Sequence, residues 1–371
     1  MKNIGVIGIG RLGLCFSLTL ERGGYNVLGL DINEDYVKSI NDKTFNSYEK
    51  NVNTYLKKSK NLKATTDLRK VIDFSDIFFV TLRTESLPSG KYDHAQVETF
   101  LERLISLGKL ENPKDLVICC NVCPGYSNEI QDRLEDHNYI VSFNPEWVAQ
   151  GTILHNQSYP DLVVIGEANK ESGDKIEKIY KNICLNDPLV YRMDRLSGEI
   201  TKVGLNCFLT TKLSYANMLG EIAIKSGVDP EPILAAIGED TRINPKYFKY
   251  GFGYGGPCFP RDTRALTYYG KSIGLTPFIV EAVMRTNNNH LDFQLEQFIE
   301  SHRDWDKNKP IIFNSITYKS GTIIIEESQQ LAYAVHIAKI GYKVVIKEHP
   351  KVIEQVKEIF GDLFVYEERQ K

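Results

Sequence analysis

No run of apolar residues in this chain approaches the ~20 that a membrane-spanning helix needs, so no membrane partner is expected. The opening Met-Lys-Asn leads straight into a glycine-interrupted apolar segment, too short for a secretory signal. An excess of charge of one sign is also missing. Forty-five basic and 48 acidic residues leave a net charge of -3, and without a basic field a nucleic-acid partner is not expected. The seven cysteines are odd in number and scattered, unlike a disulfide framework, which points to a reducing compartment and a cytoplasmic location. Cys119, Cys120 and Cys123 cluster without a second cysteine pair or paired histidines at ligand spacing. No metal is therefore expected, and burial beside a strand end is the simpler reading. Low-complexity tracts are absent as well.

What is present is an ordinary globular composition, 42% hydrophobic and 25% charged, over 371 residues, enough for two or three domains. Short β-branched runs at Ile4–Ile7, Val27–Leu30, Ile77–Thr81, Leu116–Cys119 and Ile140–Phe143 read as buried strands. Helical spacing fills the gaps between them, as in Leu12–Arg22 and Val97–Leu107. This alternation predicts an α/β fold with a parallel sheet covered on both faces. Leu162–Ile165 extends that sheet or begins the next unit.

A long proline-free helix is predicted from Ser197 to about Gly227, with further helical material to about Ile299 around a glycine-rich break. Ser301–Pro310 reads as a linker. Beyond it Pro310–Phe313, a helix at Ser328–Ile340 and Gly341–Ile346 echo the opening unit without its glycines. The expected domains are 1–195 for a dinucleotide, 196–300 as a helical dimerisation domain bearing a cysteine loop, and a shortened 301–371.

Gly8-Ile9-Gly10-Arg11-Leu12-Gly13 follows a strand and opens a helix. The glycines permit a tight turn, backbone approach to a pyrophosphate and close helix–strand packing, while the helix N-terminus faces the phosphates. Asp31 ends the next strand about 20 residues on, where a ribose-binding carboxylate belongs, and a carboxylate there favours NAD over NADP.

The stretch from Gly251 to Asp262 frames Cys258 with glycines and prolines, the composition of a loop with an imposed backbone shape. Cys258 is a candidate nucleophile, with Asp262 four residues on to orient it or a water. Lys202 and Asn206 share one face of the long helix and suit a developing oxyanion. Residue types alone leave open a buried structural cysteine beside a solvated helix face.

These stretches resemble the UDP-glucose/GDP-mannose dehydrogenase family. Gly253–Asp262 is similar to its glycine-glycine-x-cysteine-x-proline-(Lys/Arg)-aspartate stretch, and Glu199–Asn206 to its lysine/asparagine helix. Asn144-Pro145-Glu146 resembles the loop bearing a catalytic glutamate. Asp240–Ile243 resembles the segment whose arginine, here Arg242, reaches across a subunit interface. The resemblance runs from Met1 to about Pro350.

It implies a Rossmann-type NAD domain, a central long helix, a C-terminal α/β domain for the nucleotide, and a homodimer. It also implies four-electron oxidation of a sugar CH2OH in a UDP- or GDP-sugar. Cys258 would carry a thiohemiacetal and then a thioester, Lys202 and Asn206 would stabilise the oxyanion, and Asp262 and Glu146 would serve hydrolysis. Tyr247, Phe252 and Gly253 would line the sugar-nucleotide pocket, with Lys319 surviving from the C-terminal motif.

Departures lie on the hydrolytic and nucleotide sides. The family's water-holding threonine is Asn121, a second glutamate is Gln150, and the Thr-Pro over the cofactor is Thr84-Glu85. Ile324 and Glu326 replace an aspartate and an arginine, and a carboxylate for a cation should weaken or redirect diphosphate binding. Two other readings therefore stand beside the first. One is a two-electron 3-hydroxyacid-type dehydrogenase, which needs no cysteine. The other is a catalytically impaired binding or regulatory relative.

Overall fold

The computed structural model describes residues 2–307 and 309–369. The chain divides into one compact unit ending at Lys202 and a second starting at Val203.

The first unit begins β1 (Asn3–Ile7), α1 (Arg11–Arg22), β2 (Asn26–Leu30), α2 (Glu34–Asn41), α3 (Val52–Lys58) and β3 (Leu62–Thr65). It continues with α4 (Leu68–Phe74), β4 (Ile77–Val80), a two-residue ribbon β5 (Glu85–Ser86) with β6 (Tyr92–Asp93), and α5 (Ala95–Ser106). Then come β7 (Lys114–Ile118), α6 (Tyr126–Leu134), β8 (Tyr139–Phe143), α7 (Ile153–Ser158), β9 (Leu162–Gly166), α8 (Lys170–Ile183) and β10 (Leu189–Met193).

Eight strands form one sheet in the order β10-β9-β8-β7-β4-β1-β2-β3. From β3 to β8 neighbours run parallel, whereas β8 meets β9 antiparallel at a single pair, Phe143 and Gly166. The Leu162 run thus extends the sheet, across a change of direction, and β10 adds to it in parallel. Both faces are buried, as a parallel sheet requires. Ile77 and Phe79 join the core shared with Phe16 of α1 and Ile176 of α8. Phe78 and Val80 point the other way, to the core with Val97 of α5 and Ile130 of α6.

Helix α9 (Arg195–Lys225) is docked at its start to the first unit. Buried Glu199 accepts from the backbone N–H of Gly125 (2.5 Å) and Ser127 (2.8 Å), capping α6 from a distance. The rest of α9 belongs to the second unit, with α10 (Pro230–Gly238), α11 (Phe259–Ser272) and α12 (Phe278–Ser301). Because α12 continues to Ser301, the expected linker is shorter than 301–310.

A parallel sheet in the order β11-β12-β13 follows: β11 (Ile311–Phe313), α13 (Gln329–Lys339), β12 (Val344–Glu348), α14 (Pro350–Phe360) and β13 (Val365–Glu368). The echo of the opening unit is thus a β-α-β unit. After it α14 and β13 continue the unit, contributing Val352, Val356 and Tyr366 to its core.

Candidate active site

In the first unit the glycine fingerprint turns from β1 into α1. A Cβ on Gly13 would lie 2.2 Å from the Gly8 carbonyl and 2.5 Å from Thr81 Oγ1, so only glycine allows that approach. A Cβ on Gly10, the N-cap of α1, would meet no protein atom within 4 Å. The opening beside the free N–H groups of α1 is thus left for phosphate, and the residues present fit a dinucleotide. Arg11, at the head of the helix, hydrogen-bonds the Gln150 side chain. Asp31 ends beyond β2, where its Oδ1 accepts the Asn33 N–H at 3.1 Å.

Beyond the sheet's carboxyl edge, buried Thr84 donates to the Asn121 carbonyl at 2.7 Å, tying together two residues expected at the cofactor. Cys119, Cys120 and Cys123 are buried just past β7, and burial pushes the Cys119 thiol well up. None of the seven cysteines is in a disulfide. Among the described residues no group of three or more His, Cys, Asp or Glu is placed to hold a metal ion. Among them, too, no helix is long and apolar enough to cross a membrane.

Glu146 sits past β8 in a protein-filled setting. Burial pushes its carboxyl up to about 7, against a hydrogen bond from Gln157 Nε2 (3.3 Å) and the nearby Lys202 charge, which pull it down. Its Oε1 is buried and has no hydrogen-bond partner among the described residues. Lys202 donates to the Glu146 carbonyl at 2.7 Å and lies 4.5 Å over the Trp147 ring. Gln157 and Trp147 escaped the sequence reading, since neither stands at a motif position. Glu49 escaped it as well: buried, it accepts from the N–H of Gly151 and Ile153 and so holds the loop that carries Gln150.

In the second unit Cys258 is the N-cap residue of α11, with Pro260 in the first turn. A sulfur there lies by free helix N–H groups and the positive end of the dipole, a place where a thiolate is stabilised. It is partly exposed, a state shared only with Cys184 among the cysteines; the other five are buried. Asp262, one turn on, is fully buried and accepts from Asn206 Nδ2 at 2.6 Å, with Arg261 Nε 3.3 Å from its other oxygen. The pair on α9 is therefore engaged in two different ways, Lys202 with the Glu146 loop and Asn206 with Asp262.

The glycine loop before Cys258 packs closely. A Cβ on Gly255 would lie 2.1 Å from the Glu327 carbonyl, and Gly256 N–H donates to the Glu326 carbonyl at 3.1 Å. Glu327 also pairs with Arg264. Tyr247 takes a positive φ of 62° and meets the Phe259 ring edge-on at 6.1 Å. Phe252 packs edge-on against Tyr333. Arg242 is exposed and paired with Asp240 of its own loop at 2.7 Å. The Lys319 side chain is exposed, and its carbonyl accepts from Thr317 and Thr322.

A six-strand parallel core in Rossmann order, a dinucleotide loop and an acid ending the second strand define an NAD-dependent dehydrogenase. Residues 2–184 match the description "UDP-glucose/GDP-mannose dehydrogenase family, NAD binding domain", and residues 197–289 match that family's central domain. The chain belongs to this family. A UDP-glucose 6-dehydrogenase of Rickettsia bellii is 31% identical over 327 residues, covering 86% of this chain and 74% of that one. A GDP-mannose 6-dehydrogenase of Pseudomonas aeruginosa is 27% identical, covering 92% and 79%. A solved UDP-glucose dehydrogenase from the hyperthermophilic archaeon Pyrobaculum islandicum superposes with a TM-score of 0.89 at 26% identity, over 99% of this chain and 86% of that one.

Proposed function

We propose that this protein oxidises the primary alcohol of a nucleoside-diphosphate hexose to a carboxylate, with two NAD consumed per sugar. The observation that carries this reading is Cys258 at the N-terminus of α11, inside the loop that resembles the family's cysteine stretch. A two-electron dehydrogenase would leave that placement without a purpose.

Gly8, Gly10, Arg11, Leu12, Gly13 and Asp31, with Thr84 and Asn121, would hold NAD, which would supply the hydride acceptor. The alcohol carbon first becomes an aldehyde. The Cys258 thiolate adds to the aldehyde carbon and its oxygen becomes an oxyanion, which the Lys202 ammonium and the Asn206 amide stabilise. Loss of a second hydride leaves a thioester. Water then attacks the acyl carbon, the C–S bond breaks, and the thiolate departs. Glu146, which titrates near neutrality, serves as the base that takes the water's proton, and Asp262 orients the groups around the sulfur. Arg242, Tyr247, Phe252, Gly253 and Lys319 are assigned to the nucleotide sugar.

The working form is a homodimer built on α9, where Phe208, Tyr215 and Ile222 are more than half exposed at seven-residue intervals. Such spacing makes one apolar stripe along a helix. The cytoplasm is the proposed compartment, in keeping with seven cysteines outside any disulfide.

The deciding experiment counts NADH released per sugar, with UDP-glucose and GDP-mannose offered separately. Two supports the proposal. One would indicate the hydroxyacid-type alternative, and none from any nucleotide sugar would indicate a binding relative.

A further inference from the structure

Helix α12 carries two buried polar residues one turn apart, Asn287 and His290, that face the glycine loop leading to Cys258. Neither belongs to the cysteine stretch or to the chemistry assigned above. Both reach the loop's backbone. Asn287 Oδ1 accepts the Tyr254 N–H at 2.7 Å while its Nδ2 donates to the Tyr254 carbonyl at 3.1 Å, so one amide side chain imitates a neighbouring strand. A Cβ on Gly253 would lie 2.6 Å from Asn287 Oδ1, so the clamp also explains the glycine beside it.

His290 is fully buried between two acceptors. Its Nε2 lies 2.6 Å from the Gly251 carbonyl and its Nδ1 2.6 Å from Glu221 Oε1 on α9. A carbonyl oxygen can only accept, so Nε2 carries a hydrogen. The contact on the other side ties the ring to α9 through the Glu221 carboxylate. The Gly251 carbonyl also accepts from Gln294 Nε2 at 3.2 Å, and the Gly251 N–H donates to Asn217 Oδ1 at 3.0 Å. The other titratable ring against the imidazole is Tyr250, edge-on at 5.5 Å. A polar assembly of this extent, buried at the entrance to a nucleophile loop, has a larger task than stability, because an apolar core would fill the same space at lower risk.

We propose that the Glu221–His290 pair, with Asn287, is a positioning device for the nucleophile: it fixes Gly251 and Tyr254 so that Cys258 is presented at the N-terminus of α11. Between Tyr254 and Cys258 the loop is held on its other side by the Glu326 carbonyl at Gly256 N–H. The backbone before the sulfur is thus pinned at three points, Gly251, Tyr254 and Gly256. His290 and Glu221 touch neither substrate nor cofactor and act through the loop.

This inference rests on Cys258 being the nucleophile, and its test separates the two ideas. The full-length protein is prepared as His290→Phe, His290→Gln and Glu221→Gln, and Cys258 alkylation by iodoacetamide is followed across pH by peptide mass spectrometry. His290→Phe should raise the midpoint of alkylation toward that of an ordinary thiol and lower kcat about tenfold or more, the rate equivalent of one lost charge-assisted hydrogen bond. The KM for NAD should stay within about twofold, since a loop acting only on the thiol leaves ground-state cofactor binding unchanged. His290→Gln, which keeps a donor for Gly251, should recover part of both losses, and Glu221→Gln should show the same shifts in milder form if His290→Phe does not fold. A folded His290→Phe or Glu221→Gln protein with the wild-type midpoint and kcat overturns the proposal. If instead Cys258→Ser turns over normally with two NADH per sugar, the nucleophile assignment itself has failed, whatever the His290 variants do.

Discussion

Asp31, Glu146 and Cys258 each make a separate, measurable demand at the scale of single residues. Asp31 closes β2 with its carboxylate beside the Asn33 N–H and no arginine in the Asp31–Glu34 turn. A 2′-phosphate brought against it would meet like charge, worth a few kcal/mol at ~4 Å in a partly solvated site. We expect kcat/KM with NAD to exceed that with NADP by at least ~100-fold, and equal efficiencies would refute the assignment of Asp31 to the ribose. Glu146 has its carboxyl lifted from 4.5 to about 7 by burial. Its folded-state value is raised, so between those limits the native state holds a proton that the unfolded chain has lost. Stability from this group is therefore full below pH 4.5 and declines as pH climbs to about 7. Glu146→Gln should remove that decline, gaining up to roughly 3 kcal/mol over wild type at pH 8 and nothing at pH 4 in denaturant titrations. The same substitution should abolish the rise of thioester hydrolysis through neutral pH; a retained rise would place the base elsewhere. For Cys258, exchange to serine should spare aldehyde formation, which needs no thiolate. It should cripple the second oxidation, since a hydroxyl near neutral pH is a far poorer nucleophile. Rapid-quench detection of aldehyde with one NADH would show this split.

Elements were legible in the sequence in proportion to how fully they are buried. β1, β4, β7 and β8 are covered on both faces, and their mostly apolar runs marked them within a residue or two. Within the eight-stranded sheet the strands that escaped notice, β3 and β10, are its two edges. β3 alternates buried Leu62 and Ala64 with exposed Lys63, and its outer edge is closed by the Asn41 amide on Ala64 rather than by another strand. β10 has no fully buried residue, so nothing in Leu189–Met193 required a hydrophobic run. The site divided in the same way. Cys258, Asp262 and the lysine/asparagine pair stood at fixed spacings, whereas Gln157, Glu49 and His290 act from helices and loops distant in sequence, where only folding brings partners together. Helix α9 carries the element's own prediction. Phe208, Tyr215 and Ile222 form an exposed stripe that a solvated helix has no use for. Replacing Tyr215 and Ile222 together by lysine should convert the proposed dimer to a monomer at micromolar concentration in light scattering. An unaltered dimer would move the interface off this helix, and a wild-type protein already monomeric would remove it.

At the scale of the whole molecule, the steps of the reaction are unequally equipped. The dinucleotide loop is complete, with Gly13 packed against β1 and the α1 N-terminus open to phosphate. The thiol is presented on a helix terminus with its loop pinned from α12 and from the Glu326–Glu327 backbone. Hydrolysis is the step with altered parts. Asn121 stands where relatives of the resembled family hold water with a threonine, and its carbonyl is occupied by Thr84. Gln150 stands in place of a second glutamate, and its side chain is engaged by Arg11. An amide cannot take a proton from water as a carboxylate can, so in the proposed mechanism the burden falls on the remaining carboxylates, Glu146 and Asp262. A chain that forms a thioester readily and releases it slowly should accumulate the acyl-enzyme. Mixing the protein with a nucleotide sugar and excess NAD should then give a burst of two NADH per active site, followed by a slower steady state. Intact-mass spectrometry of the acid-quenched burst should find the sugar-nucleotide acyl group on the chain, mapped to Cys258 and removable by hydroxylamine. Restoring the missing carboxylate, Gln150→Glu, should shorten the slow phase and lower the adduct without changing the burst. A steady state with no burst and no adduct, at the same two NADH per sugar, would mean that hydrolysis keeps pace and that Asn121 and Gln150 serve it as well as the residues they replace.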